Sequence, residues 1–313
     1  MLTGRPKWSL VLGLGVACAA IPLALRLLDA EVWLGPQRST HGHDRLLQAL
    51  LETDQPAPPE VHPPQPRPEP ATPTAPSIRS IPTTASSAPQ VRVALFRQRP
   101  LRSVETRGRS QCKDAQGTAY TRININTWTG TTLRCQSKGS GVVVLNGLPY
   151  QGMIELMRSD KGWLPINQLD LERYVASVVG GEMPSHWGKE ALKAQAVAAR
   201  SYALVHIVRP AGKHYHLGDT TRWQVYRGRE SMTSATLEAT QATNGQVLSY
   251  RGGLVESLYA ATAAISAEAH GHLGASMSQT GANALAQQGQ AYTQILDRYY
   301  KGAELARIIP NGP

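Results

Sequence analysis

One carboxylate stands out by its setting. Glu182 lies in the run Gly180-Gly181-Glu182-Met183-Pro184, at a break between two stretches of helical periodicity. An acid held at a rigid helix–helix corner can pass a proton to a leaving oxygen and take one back. The same acid can instead cap the helix that follows, and the local residues leave both readings open. The second stretch carries Lys189, Glu190, Lys193, Gln195, Arg200 and Tyr202 as its polar groups. His214 and His216 form a pair that is read either as metal ligands or as polar loop residues. Cys112 and Cys135 have no histidine pair near them at zinc-site spacing, so a disulfide is expected of them in an oxidising compartment.

The elements around Glu182 follow from pattern. Leu171, Tyr174, Val175 and Val178 make one apolar stripe at helical period, started by Asn167 or Asp170. Gly180 and Gly181 are expected to end this helix, Pro184 keeps it from running on, and Ser185 is a suitable N-cap for the next. That next helix is alanine-rich, so a neighbouring backbone can approach it closely. Upstream, VRVALFR, AYTRININTWT, TTLRCQS and GVVVLNGLPYQGMIELM read as short strands between turns, a small antiparallel unit from about Val91 to Leu164. Downstream, Thr236 to Gln241 reads as helix, and GQVLSYRGGLVESLYAAT as a hairpin turning at Arg251-Gly252-Gly253. A glycine-rich loop then enters a helix whose first amides suit an anion or polar ligand. A last amphipathic helix shows Ile295, Leu296 and Tyr299 on one face.

The whole chain narrows the function classes. Its net charge of +10 suits an acidic polymer or an anionic surface. That charge is spread, without a Lys/Arg run or interleaved aromatics, which argues against nucleic acid. Arg5 and Lys7 precede an apolar run from Trp8 to Leu25, the pattern of an uncleaved membrane anchor with everything after it outside. A signal peptide cleaved near Ala17-Cys18-Ala19 is the rival, and lipidation at Cys18 a third version; all three export the rest. From Arg38 to Gln90 proline, threonine, serine and alanine dominate, as in a semi-rigid, disordered spacer holding one short amphipathic piece, Asp44 to Leu51.

The run LDLERYVASVVGGEMPSHWGKEALKAQAVAARSYAL closely resembles the core motif of the stage II sporulation protein D (SpoIID) family, which includes the amidase enhancer LytB. DTTRWQVYRG, TNGQVLSYRGGLVESLYAAT and GASMSQTGANALAQQGQAYTQILDRYYKG resemble further family blocks in the same order, so the likeness runs from about Val91 to Ile308. The resemblance implies action on peptidoglycan glycan strands, as a lytic transglycosylase with Glu182 as catalytic acid or as a non-cutting glycan binder that stimulates a cell-wall amidase. A single carboxylate suffices for the first when the sugar's own C6 hydroxyl is the nucleophile, and apolar Met183 and Trp187 beside it would raise its pKa. Gln195, Arg200, Ser201, Tyr202, Gln224, Tyr226, Ser278 and Gln279 fall in the matching blocks and are the groove candidates. Arg200, Lys189 and Lys193 are candidates for the lactyl carboxylate of muramic acid.

Two departures qualify the likeness. Gly218 and Trp223 stand where the sporulation enzymes carry zinc-binding cysteines, which implies a metal-free, cofactor-free variant. Ala263 and Ala264 stand where the family has paired glycines before a long insert, so a wall of the groove is expected to be missing. The expectation is an α+β protein with a helical core, a central helix pair and a small N-terminal β unit, behind a transmembrane helix and a disordered linker. It divides as 1–30, 31–90 and 91–308, the last into a β-rich 91–164 and a helical 165–308. Peptidoglycan glycan strands, a cell-wall amidase and the membrane are its expected partners, and nucleic acid is not.

Overall fold

A computed structural model describes residues 79–83, 88–271 and 274–310. The run from Trp8 to Leu25, the piece from Asp44 to Leu51 and most of the linker lie outside them. Among the described residues no helix is long and apolar enough to cross a membrane.

The first half is β structure: β1 (Arg79–Thr83), β2 (Gln90–Ala94), β3 (Ser103–Arg107), β4 (Ser110–Asp114), β5 (Ala119–Tyr120) and β6 (Arg122–Asn124). It continues with β7 (Leu133–Ser137), β8 (Val142–Leu145), β9 (Leu148–Tyr150), β10 (Met153–Ser159) and β11 (Gly162–Asp170). Then come helices α1 (Leu171–Glu182) and α2 (Lys189–Val208), β12 (Leu217–Gly218), α3 (Ser234–Ala242), β13 (Gln246–Tyr250), β14 (Gly253–Leu254) and β15 (Leu258–Ala260). Helix α4 (Ala263–His270), β16 (Ser276–Ser278), α5 (Gln279–Gln287), α6 (Tyr292–Tyr299) and β17 (Glu304–Pro310) complete the described chain. The mixed α+β class is as expected.

The β part is larger than the small unit read from sequence. It forms a seven-stranded sheet in the order β12-β2-β11-β10-β7-β4-β5 and a four-stranded sheet in the order β6-β3-β8-β9. Burial alternates along β7, where Leu133, Cys135 and Ser137 face in, and Cys112 and Cys135 lie directly opposite each other on β4 and β7, joined as a disulfide. Strand β11 runs on to Asp170, through residues expected to begin the helical part. Strand β12 comes from beyond α2 and pairs in parallel with β2, which ties the loop after the helix pair back to the sheet. A second four-stranded sheet, β1-β17-β13-β14, uses β1 from inside the stretch expected to be linker. Its position at the sheet edge is where Pro82 can be accommodated, since a proline has no N–H for an inner ladder.

The helix pair forms for the reasons given by its residues. Leu171, Tyr174, Val175 and Val178 are all buried, and each such side chain contributes about 1.5–3 kcal/mol. The Asp170 side chain accepts from the N–H groups of Glu172 and Arg173, which makes it the N-cap; Asn167 sits back in β11. Helix α2 is buried nearly all round, which is why its faces are alanine at 191, 194, 196, 198, 199 and 203. It packs against α1, α3, α5 and α6.

Two expectations about the corner are corrected. Gly180 and Gly181 do not end α1: the helix runs through both and stops at Glu182. Their small size answers a close approach instead. A Cβ on Gly180 would overlap the carbonyl oxygen of Ser231, and one on Gly181 that of Val225. Met183, extended ahead of Pro184, ends the helix. Ser185 is not the N-cap of α2; Gly188 is, with its own N–H donating to Asn283 Oδ1 at 2.9 Å.

Candidate functional site

Glu182 ends α1 at the wall of a cavity of about 410 Å³. Around the same cavity stand Tyr202 from α2, Thr221, Arg222 and Trp223 from the loop after β12, Tyr259 of β15, and Gln279 at the start of α5. A larger hollow, about 580 Å³, lies over β4, β7 and β10. Its acids are already engaged, Glu155 by Arg92 and Arg134 and Asp114 by Tyr120, so it holds no carboxyl prepared for proton transfer.

Two bonds orient the Glu182 carboxyl. Oε1 accepts the Val225 N–H at 2.7 Å, and Oε2 accepts Gln279 Nε2 at 3.4 Å. The first is short and the second long, so Oε2 is the oxygen freer to carry a proton. Burial dominates its titration and holds the pKa above the ordinary carboxylate value, only partly offset by the two hydrogen bonds and the more distant charge of Arg227. Met183 turns into the core and Trp187 packs against it, and neither lines the cavity.

The groove candidates separate once their partners are known. Glu182, Tyr202 and Gln279 share the cavity wall, and burial raises the Tyr202 phenol to about 12. Arg200 does not reach it. Its guanidinium is wholly buried, holding both carboxylate oxygens of Glu172 and the carbonyls of Ala196, Thr240 and Gln246. Ser201 is equally committed, donating to Val197 O and accepting from Leu248 N. Tyr226 stacks on Tyr174 and donates to Asn167 Oδ1 at 2.6 Å, deep in the core. Gln195 is fully buried, with no hydrogen-bond partner for its amide among the described residues. Ser278 caps α5 by accepting from Gly281 N, so that helix start is partly satisfied from within. Gln224 is buried behind the wall and bonds to Tyr259, which does line it.

The lysines expected to meet a carboxylate are elsewhere. Lys193 is paired with Glu190 at 2.6 Å, and neither it nor Lys189 lines the cavity. The cation that does is Arg222, exposed and carried over the Trp223 ring at 5.0 Å. Arg222 and Tyr259 are not among the groove candidates expected from sequence, although both lie inside quoted blocks; nothing local distinguishes Tyr259 from its neighbours. Arg222 sits beside Trp223, a cation–aromatic pairing that offered the one available signal.

The departures from the family pattern have structural counterparts. Gly218 lies directly under the Trp223 ring, which stacks on Phe96 at 5.7 Å, so the two positions fit together as an apolar contact. His216 Nδ1 accepts the Arg92 N–H while His214 is exposed, and among the described residues no three His, Cys, Asp or Glu side chains gather at metal-ligand spacing. Ala263 and Ala264 open α4, which contributes Ile265, Ala269 and His270 to the cavity. Where a wall was expected to be missing, a short helix stands. Its formation is favoured by alanine, the best helix former, and by the Thr262 side chain accepting from Ile265 N.

Residues 159–250 match the family described as Stage II sporulation protein. The chain is 37% identical over 118 residues to an uncharacterised protein of Brachyspira hyodysenteriae, covering 37% of this chain and 32% of that one. It is 35% identical over 144 residues to the amidase enhancer of Bacillus subtilis, covering 44% and 19%. To the stage II sporulation protein D of Bacillus subtilis it is 31% identical over 112 residues, covering 31% and 33%. The aligned part thus spans a third or less of each relative's own length. The family match contains Glu182, Arg200 and Gln224 but ends before Tyr259 and Gln279.

Proposed function

We propose, from the premise that this chain belongs to the SpoIID/LytB family, that it acts on peptidoglycan glycan strands with Glu182 as general acid and base. The observation that carries the reading is the Glu182 carboxyl itself: half-buried at a cavity wall, oriented by the Val225 N–H, and with its pKa raised by burial. Oε2 gives its proton to the glycosidic oxygen as the bond from C1 to that oxygen breaks. The carboxylate then takes the proton of the C6 hydroxyl as O6 bonds to C1, leaving a 1,6-anhydro muramyl end. No second carboxylate is needed, in contrast to a hydrolase. Arg222 is the cavity cation suited to the lactyl carboxylate of muramic acid.

The export signal read from the first residues delivers the domain to this substrate, with the apolar run from Trp8 to Leu25 as a membrane anchor. Incubating the full chain with glycan strands stripped of stem peptides tests the activity. Anhydro-muramyl products are expected from the wild type and absent with Glu182→Gln, which still pellets with sacculi. A wild type that binds sacculi and makes no such product removes the enzymatic reading. It leaves the second one, a glycan-binding module that activates an amidase, which the likeness to an amidase enhancer favours.

A further inference from the structure

The hollow of about 580 Å³ over β4, β7 and β10 lies on the seven-stranded sheet, and its lining shares no residue with the Glu182 cavity. Strand register fixes what faces it. Along β7, Leu133, Cys135 and Ser137 point into the core, so Arg134 and Gln136 point outward. Lys113 of β4 is the direct cross-strand partner of Arg134, and Glu155 of β10 is its partner on the other side. Lys113, Arg134 and Glu155 thus stand in one row across three strands.

That row holds more donors than acceptors. Glu155 Oε1 accepts from Arg134 Nε and Nη2 at 3.1 and 2.9 Å, and Oε2 accepts from Arg92 Nη2 at 3.2 Å. One carboxylate therefore already serves two guanidinium groups. Asp114, the other acid at the hollow, turns into its own loop and accepts from Gln116 N, Thr118 N and Tyr120 Oη. Lys113 Nζ and Arg134 Nη1 have no acceptor among the described residues. Like charges directly opposite each other on a sheet repel, and an anion seated between them turns that repulsion into attraction. Met153, one row along and opposite Gln136, adds an apolar patch beside the two cations. The volume is that of a small-ligand site.

We propose that this hollow is a second binding site, for the carboxylate of a 2-substituted propionate unit. Such a unit ends an alanine-terminated wall peptide, and it also forms the lactyl ether of muramic acid. Lys113 and Arg134 donate to the carboxylate oxygens, and the methyl group lies against Met153. This rests on the reading that the chain acts at the wall, but not on cleavage at Glu182. The site holds the domain to a wall fragment by its sheet and leaves the Glu182 cavity free for a strand. Arg134 is 71% exposed, so the affinity is modest and falls as salt is raised.

Calorimetric titration of the full chain with N-acetyl-D-alanyl-D-alanine and with N-acetylmuramic acid tests this and separates the two sources. The C-terminal amide of the peptide and N-acetylglucosamine are the controls without a carboxylate. At least one carboxylate probe should bind, more weakly at higher salt, and its control should not. Lys113→Gln should weaken that probe about 5- to 10-fold, and Lys113→Arg should restore it. The position is exposed, and Lys113→Gln should also raise the melting temperature of the free protein, because the repulsion with Arg134 is gone. Failure of both carboxylate probes overturns the site. So does a probe that Lys113→Gln binds as tightly as the wild type does, or one lost only with Arg222→Gln, which would place the carboxylate in the Glu182 cavity. Pelleting with sacculi keeps the two readings apart. Sacculi bound without either probe leave the glycan reading standing, whereas a probe bound without sacculi removes that reading and keeps the site.

Discussion

Arg200, on α2, and Glu182, on the last turn of α1, are both ionisable groups drawn out of bulk water within one motif. Their surroundings differ in kind. Arg200 is wholly buried, yet it meets both oxygens of Glu172 and three backbone carbonyls, so its charge is compensated in place. Glu182 is half-buried and, among the described residues, has one good donor, one weak donor and no ion pair. The compensated group stabilises the packing of α1, α2 and the β13 region. The under-compensated one has a raised pKa and an open cavity in front of it.

The contrast can be broken from the structural side first. Glu172→Ala removes the partner and leaves the Arg200 charge buried, which should cost about 3–5 kcal/mol of stability, measured by urea unfolding. A loss under about 1 kcal/mol would mean that the three carbonyls alone satisfy the guanidinium. Next, Gly181→Ala drives a Cβ against the Val225 carbonyl, and overpacking of this sort costs about 1–3 kcal/mol. Because Val225 also supplies the N–H that orients Glu182, glycan binding or cleavage should fall together with the melting temperature. Unchanged function in a destabilised variant would separate the loop's packing from its positioning role.

The smallest effect is the most diagnostic. The folded pKa of Glu182 lies above its unfolded value, so the native state holds this proton more tightly. Stability from this group is therefore fully present below the unfolded pKa, is lost as pH rises through the window between the two, and stays lost above it. Glu182→Gln removes that loss. The variant should unfold at a higher temperature than wild type at neutral pH, with the gap closing as the solution is acidified below the ordinary carboxylate range. A variant less stable than wild type at neutral pH would show that the carboxylate is compensated after all.

Much of the local structure could be read in advance. The stripe from Leu171 to Val178, the Asp170 cap and the turn at Arg251-Gly252 follow from near neighbours. At that turn both residues have positive φ, 49° and 82°, as a two-residue hairpin of right-handed twist requires. The reason for glycine at 180 and 181 lies elsewhere in the chain, in the backbone of Ser231 and Val225, and no near neighbour shows it. Arg200 is a groove candidate by sequence and a core residue in the fold, since a cation on a helix shows nothing locally of the Glu172, Thr240 and Gln246 partners it meets.

By itself, then, the sequence determined the helix pair, the place of Glu182 at its corner and the family that the motif resembles, all properties of short-range pattern. The tertiary structure alone decided which polar groups face the cavity and which are consumed in the core. The physical reason is that a group's charge state and free donors depend on what surrounds it. For Glu182 those surroundings come from Val225 and Gln279, 43 and 97 residues away along the chain.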